Sequence, residues 1–536
     1  MDTRALGILS LLAFSAACSL PGGSDTTAAS EPYDRAAVAQ GARAAEYLDS
    51  SVGALGLRRE VAFDTEAYAR IDESEFQRTT EHPLSTFAVD VDTASYANVR
   101  RFLAENRLLP ADAVRIEELV NYFPYAYAPP DGDAPFAIHT EVTGCPWEPS
   151  HRLVRIGLKA KDIPLAERPA SNLVFLIDVS GSMDMPAKLQ LVKSALRLLV
   201  EQLREGDRVA LVVYAGSSGL VLPGTSGDRK EEILAAIDRL EAGGSTNGGS
   251  GIELAYRIAA EGFRPGASNR VILATDGDFN VGVTSHGELT RLIEEKAKSG
   301  VFLSVLGFGT GNLKDATMEQ LADRGNGNYA YIDTINEARK ALVEQLSGTL
   351  LTVAKDVKLQ VEWNPAQAAS YRLVGYENRL LAPEDFRDDS KDAGEIGAGH
   401  SVTALYEVIP AGTEAGGRPV DPLKYQTQRD LAAKSPELLT LKVRYKKPEG
   451  RESIPLETVV IDPGAAFAAA SADSRFAAAV AAFGMVLRES PHRGQATLDA
   501  VIAMAEDAGA SAGDAHRREF VELAKKARVL SAPSGS

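Results

Sequence analysis

The sequence predicts an α/β protein: a doubly wound, mostly parallel sheet inserted in a β-sandwich, with a C-terminal helical segment. Three observations carry that expectation. Residues 172–178 (NLVFLID), 208–214 (RVALVVY), 270–275 (RVILAT) and 301–308 (VFLSVLGF) are continuous apolar runs, as in strands buried on both faces. Helical periodicities separate them, so strand and helix alternate and the crossovers should be right-handed. Strand-like segments flank this block at 136–142, 153–158, 357–363, 371–376, 402–409 and 438–445.

Within the central block, Leu189, Val192, Leu196 and Leu199 mark a helix after the first strand. Residues 219–222 suit a short antiparallel neighbour of the second. Helices follow at 230–240, 251–260 and 288–298, then near 316–322 and over 336–346, with a strand at 328–332. In a doubly wound sheet the ligand site lies at the carboxyl ends of the strands, near a topological switch point. Three loops should meet there: Asp178-Val179-Ser180-Gly181-Ser182, the glycine-rich run around Thr246, and Asp276-Gly277-Asp278. They offer carboxylates and hydroxyls, the oxygen donors that a hard cation such as Mg2+ prefers.

Asp178-x-Ser180-x-Ser182, then Thr246, then Asp276, in that order on this alternating pattern, resembles the metal-ion-dependent adhesion site of von Willebrand factor type A domains, which are Rossmann-like. The resemblance covers roughly residues 170–350. It implies a site for Mg2+, with Mn2+ and Ca2+ as alternatives. Ser180, Ser182 and Thr246 would be the direct ligands, and Asp178 and Asp276 the outer or switching ones. A partner protein's Asp or Glu carboxylate would complete the metal shell.

Several look-alikes fall away. Asp276-x-Asp278-x-Asn280 starts like a calcium-binding loop, but its sixth and twelfth positions are Val281 and Gly287. The run around Thr246 lacks the Gly-Lys-Ser/Thr of a nucleotide loop. The Gly-x-Ser-x-Gly letters at 509–513 follow a helical stretch and not a strand. No set of nucleophile, base and oxyanion donors can be assembled, so the expectation is a protein that is not an enzyme.

The N-terminus reads as an address. The apolar run at 5–17 is shorter than the roughly twenty helical residues that span a bilayer, and it has the length of a signal-peptide core. Ala16-Ala17-Cys18 resembles a bacterial lipoprotein cleavage site, with Ser15 where that pattern usually has Leu. It implies lipidation of Cys18, a signal peptide at 1–17 and a tether at 18–63 rich in small and polar residues. The membrane contact expected is this lipid anchor only, and the location is the cell envelope. The mature chain would keep Cys145 as a lone buried thiol.

The flanks add further domains. Residues 64–130 contain the stretch 83–96, which suits a strand and then a helix at 96–105, with another helix at 114–122, and resemble the N-terminal region of a family of bacterial cell-envelope proteins with a type A domain. Asp90 and Asp92 are read as strand-end residues capping the next helix. Strand segments at 131–169 and 351–465 could form one β-sandwich around the insertion at 170–350. Phe476, Val480, Phe483 and Val486 recur at helical spacing in the helical region 466–530, and 531–536 form a tail.

With 57 Lys+Arg against 74 Asp+Glu, the net charge is −17, which argues against nucleic acid as a partner. The expected function is capture of a protein partner through the magnesium site. The alternative is an assembly scaffold of an envelope complex, in which the metal site is structural or vestigial.

Overall fold

The computed structural model of the protein describes residues 66–532 except 165, 246–247, 278–285, 311–312, 392, 414–434, 449 and 511–513. The chain begins with β1 (Gln77–Arg78), β2 (Leu84–Ala88), α1 (Ala94–Ala104) and α2 (Ile116–Asn121). Next, β3 (Phe136–Gly144) and β4 (Arg152–Ala160) pair antiparallel, with Phe136 opposite Ala160.

The α/β unit follows. Its elements are β5 (Ser171–Asp178), α3 (Leu191–Glu201), β6 (Arg208–Tyr214), β7 (Ser218–Ser226), α4 (Lys230–Asp238) and α5 (Gly248–Glu261). Then come β8 (Ser268–Thr275), α6 (His286–Lys298), β9 (Phe302–Phe308), α7 (Asp315–Arg324), β10 (Tyr329–Ile332), α8 (Ile335–Arg339) and α9 (Leu346–Leu350). The sheet order is β10-β9-β8-β5-β6-β7, parallel except for the edge strand β7. All eight residues of β5 are buried. The period-2 alternation sends Leu173, Phe175 and Ile177 to one core and Val174 and Leu176 to the other. This double burial is what makes the strand a continuous apolar run. From β5 the chain first builds outward through β6 and β7, then returns to the other side for β8. The switch point therefore lies between β5 and β8.

After the insertion come β11 (Thr352–Trp363), β12 (Ala368–Val374), β13 (Leu380–Leu381), β14 (Gly394–Gly397), β15 (Ser401–Pro410), β16 (Glu437–Lys446) and β17 (Ser453–Ile461). They form two sheets with the strands that precede the insertion. One runs β1-β12-β15-β4-β3; the other runs β13-β2-β11-β16-β17, with β14 paired to β11. Phe87 of β2, Val154 of β4, Leu359 and Val361 of β11, Tyr406 of β15 and Val443 of β16 share one apolar core between them. This is the sandwich, and the α/β unit is inserted in it.

Helices α10 (Ala472–Leu487), α11 (Leu498–Asp507) and α12 (Ala515–Ser531) close the chain. Phe476, Val480 and Phe483 of α10 pack with Tyr96 of α1 and Leu119 of α2 in a separate, fourth core. The rings of Phe123 and Phe476 meet edge to face at 4.9 Å. Buried ion pairs join the N-terminal helices to the α/β unit: Arg100 to Asp333 at 2.5 Å and to Glu337 at 2.7 Å, and Arg115 to Asp315 at 2.5 Å. Among the described residues, no helix is long and apolar enough to cross a membrane.

The strand-end aspartates depart from the sequence expectation. Asp90 and Asp92 do not cap α1. The Ser95 amide in its first turn donates to Glu118 Oε2 at 2.7 Å. Asp90 Oδ1 accepts the Asp92 amide at 2.9 Å, and Asp92 Oδ1 accepts the Tyr329 amide of β10 at 2.9 Å. Arg379 reaches both carboxylates, at 3.3 and 3.5 Å. A distant edge-strand amide and a buried guanidinium outcompete the local helix end.

Candidate metal centre

The site is built where β5 and β8 end side by side. Asp178 is the last residue of β5, Tyr214 the last of β6 and Thr275 the last of β8. Asp178 and Tyr214 are register partners. Asp178 is fully buried and held from three directions. Its Oδ1 accepts the Ser180 amide at 2.9 Å; its Oδ2 accepts the Tyr214 hydroxyl at 3.0 Å and the Thr275 hydroxyl at 3.3 Å. Burial pushes its carboxyl up to about 6, opposed chiefly by the hydrogen bonds from Ser180 and reinforced by the nearby Asp276 charge. Burial and the Asp178 charge also raise the Tyr214 hydroxyl well above its ordinary value, so it stays a donor.

Ser180 and Ser182 bring their hydroxyls to 3.0 Å from each other. The loop carrying them is pinned to the glycine run by Gly181 N–H to Gly244 O at 3.0 Å and Gly243 N–H to Val179 O at 2.7 Å. Gly244 has φ +86°, which lets that run turn back toward the strand ends. Asp276, just past β8, is fully buried. Gly277 follows at φ +96°, its amide donating to the Thr275 hydroxyl at 3.2 Å.

Asp276 Oδ2 accepts from Lys188 Nζ at 2.8 Å. Lys188 is 3% exposed and lies in the π-helical turn Pro186–Gln190 that leads into α3. Its aliphatic stem fills the space at Gly309, where an added Cβ would lie 2.4 Å from Cγ and Cε. Gly309 itself has φ +80° and offers its carbonyl to the Tyr331 hydroxyl at 2.5 Å.

Thus Asp178, Ser180, Ser182 and Asp276 lie together at the strand ends beside the switch point. Thr246, Cys18, Asp278 and Ser511 lie outside the described residues, as do the signal and tether segments. Cys145 is buried, and burial raises its thiol. Sequence reasoning missed Tyr214, Thr275 and Lys188. Lys188 had a usable signal: counting in helical steps from Val192, Leu196 and Leu199 back to 188 puts a cation on the buried stripe.

The donors gathered there suit a hard divalent cation: Asp178 and Asp276 offer carboxylate oxygens, and Ser180 and Ser182 offer hydroxyls. The Lys188 ammonium shows that Asp276 already faces a cation. Carboxylates gather elsewhere too. Asp90, Glu118 and Glu319 lie within 4.8 Å of one another, buried. Arg115 pairs with Glu118 and Glu319, and Arg379 with Asp90 and Glu319, so that cluster meets its counter-charges inside the protein.

Residues 62–155 match the family model described as von Willebrand factor, 172–345 that of the von Willebrand factor type A domain, and 348–530 that of the C-terminal region of uncharacterized protein YfbK. The chain is 46% identical over 468 residues to uncharacterized protein YfbK of Escherichia coli (strain K12), covering 86% of this chain and 80% of that protein. The chain belongs to the YfbK family. Its α/β unit is the type A domain of that family, and the YfbK C-terminal region takes in β11–β17 and the closing helices. The uncharacterized protein sll0103 of Synechocystis is 30% identical over 211 residues, 38% of this chain and 48% of its own. A von Willebrand factor type A structure from Catenulispora acidiphila aligns with TM-score 0.42 and 17% identity, covering 75% of this chain and 92% of that one.

Proposed function

We propose that this YfbK-family protein is a binding protein of the bacterial cell envelope. It captures a protein partner through Mg2+ held by Ser180, Ser182 and Thr246, with Asp178 and Asp276 as outer ligands. When bound, the ion supplies a coordination position that an Asp or Glu carboxylate of the partner fills. The observation that carries this reading is the meeting of Asp178, Ser180, Ser182 and Asp276 at the ends of neighbouring parallel strands, with the serine hydroxyls 3.0 Å apart. The membership of a type A family, whose domains mediate protein–protein contacts and typically bind a divalent metal, supports it.

The chain's own residues do most of the preparation. Tyr214 and Thr275 orient Asp178 before any ligand arrives. The Gly243 and Gly181 hydrogen bonds set the loop on which the serines sit. An acidic protein would attract a carboxylate poorly by itself, and a bound cation reverses the sign locally. Envelope placement rests on the run at 5–17 and on Cys18, which we propose is lipidated.

The test is a pull-down from envelope extract with the full mature chain, in Mg2+ and in EDTA. Capture should need Mg2+ and be lost in the Asp178→Ala/Asp276→Ala variant. Capture that survives EDTA and Ser180→Ala would instead favour the scaffold reading, in which the inserted domain docks permanently.

A further inference from the structure

Lys188 is the one element of the site that the proposed function leaves without a role. Its ammonium is 2.8 Å from Asp276 Oδ2, with side-chain exposures of 4% and 0%. Its stem is enclosed against Gly309, so it does not sweep freely into solvent as a surface lysine would. We infer that Lys188 is a built-in cation of the metal site: it holds Asp276 away from direct metal coordination, weakens the site's grip on the divalent ion, and leaves the loaded site positively charged toward a carboxylate. The inference rests on the metal site proposed above.

Two ionised carboxylates, Asp178 and Asp276, carry two negative charges, and Lys188 returns one. A divalent ion then brings the group to one net positive charge, which a partner carboxylate neutralises. Without Lys188 the loaded group would already be neutral, and the arriving carboxylate would leave it negative. In a buried site these differences are weakly screened. Asp276 shares its charge with the ammonium and is a poorer direct ligand for the metal. Enclosure of the lysine stem keeps that arrangement in place when the metal enters. Lys188 thus acts as a positioning residue, through Asp276.

The test is calorimetric titration of Mg2+ into the full mature chain, wild type and Lys188→Met, followed by titration of acetate into each loaded protein. Lys188→Met should bind Mg2+ roughly tenfold more tightly or better, and bind acetate correspondingly less well. Lys188→Arg, which restores the charge, should return both toward wild type. If removal of the counter-ion unfolds the Met variant without metal, its melting temperature should recover in Mg2+ by more than wild type gains; Lys188→Gln provides the same comparison with a polar side chain. Equal or weaker Mg2+ affinity in both uncharged variants, with wild type binding normally, overturns the role of Lys188 and leaves the metal site standing. Absence of binding in wild type and in every variant overturns both.

Discussion

The Tyr214 hydroxyl donates to Asp178 Oδ2 at 3.0 Å, from the strand neighbouring the one that Asp178 ends. The carboxylate is fully buried, so its orientation is decided by these donors and not by water. Tyr214→Phe keeps the ring and removes the donor. A hydrogen bond to a charged group is worth about 1.5–3 kcal/mol. Denaturant unfolding should show a loss of that size, and Mg2+ titration should show weaker binding because Asp178 is less well aimed.

Gly309→Ala attacks the other side of the site. The backbone at φ +80° costs an L-residue about 1–2 kcal/mol, and the added methyl would overlap the Lys188 stem. The variant should lose stability by at least the backbone amount. Gly266→Ala, at φ +73° but with open space around its Cβ, should lose only the backbone part. Thermal or denaturant melting compares them.

Much of this architecture is legible in the residue pattern, and the reasons are local. NLVFLID and RVILAT are buried on both faces, so they are apolar throughout, and the motif residues sit where those runs stop. Alternation in 153–158 and 438–445 gives the sandwich strands. What the pattern does not carry is pairing over long separations. Nothing near Leu84 says that β2 will lie beside β11, and nothing near Phe476 says that it will meet Phe123. Asp92 illustrates the cost: its partner amide, Tyr329, is 237 positions away, and a local capping rule chose wrongly. Lys188 is an intermediate case, since its place on the apolar stripe was visible but its partner was not.

Arg115 should be among the most sensitive positions outside the metal site. It pairs with Glu118, Asp315 and Glu319, and its own exposure is 6%. Breaking a buried pair by removing one partner strands the other charges, at about 3–5 kcal/mol. Arg115→Met should lower the unfolding free energy by that order. If the change is within the range of a surface substitution, the flanks do not depend on this network.

Glu117 gives the protein a pH dependence with a definite sign. It is 1% exposed, Oε2 has no hydrogen-bond partner, and burial followed by the Glu377 charge pushes it up to about 8, against lowering by Arg488. A carboxyl raised in the folded state holds its proton more tightly there than when unfolded. Its contribution to stability is therefore complete below the ordinary value of 4.5 and is lost as pH rises toward 8. Melting temperature should fall over that window in wild type. Glu117→Gln should flatten the fall, and an unchanged pH profile would show that Glu117 is not its source.

The central claim is tested most directly by calorimetric titration of Mg2+ into chelator-treated wild type and into Ser180→Ala/Ser182→Ala. These hydroxyls lie 3.0 Å apart on the loop after β5, and their removal leaves Asp178 with its Tyr214 and Thr275 donors. Wild type should give a saturable isotherm near one ion per chain, and the folded double variant should give none. Equal uptake by the two proteins, or no uptake by wild type, would contradict the account.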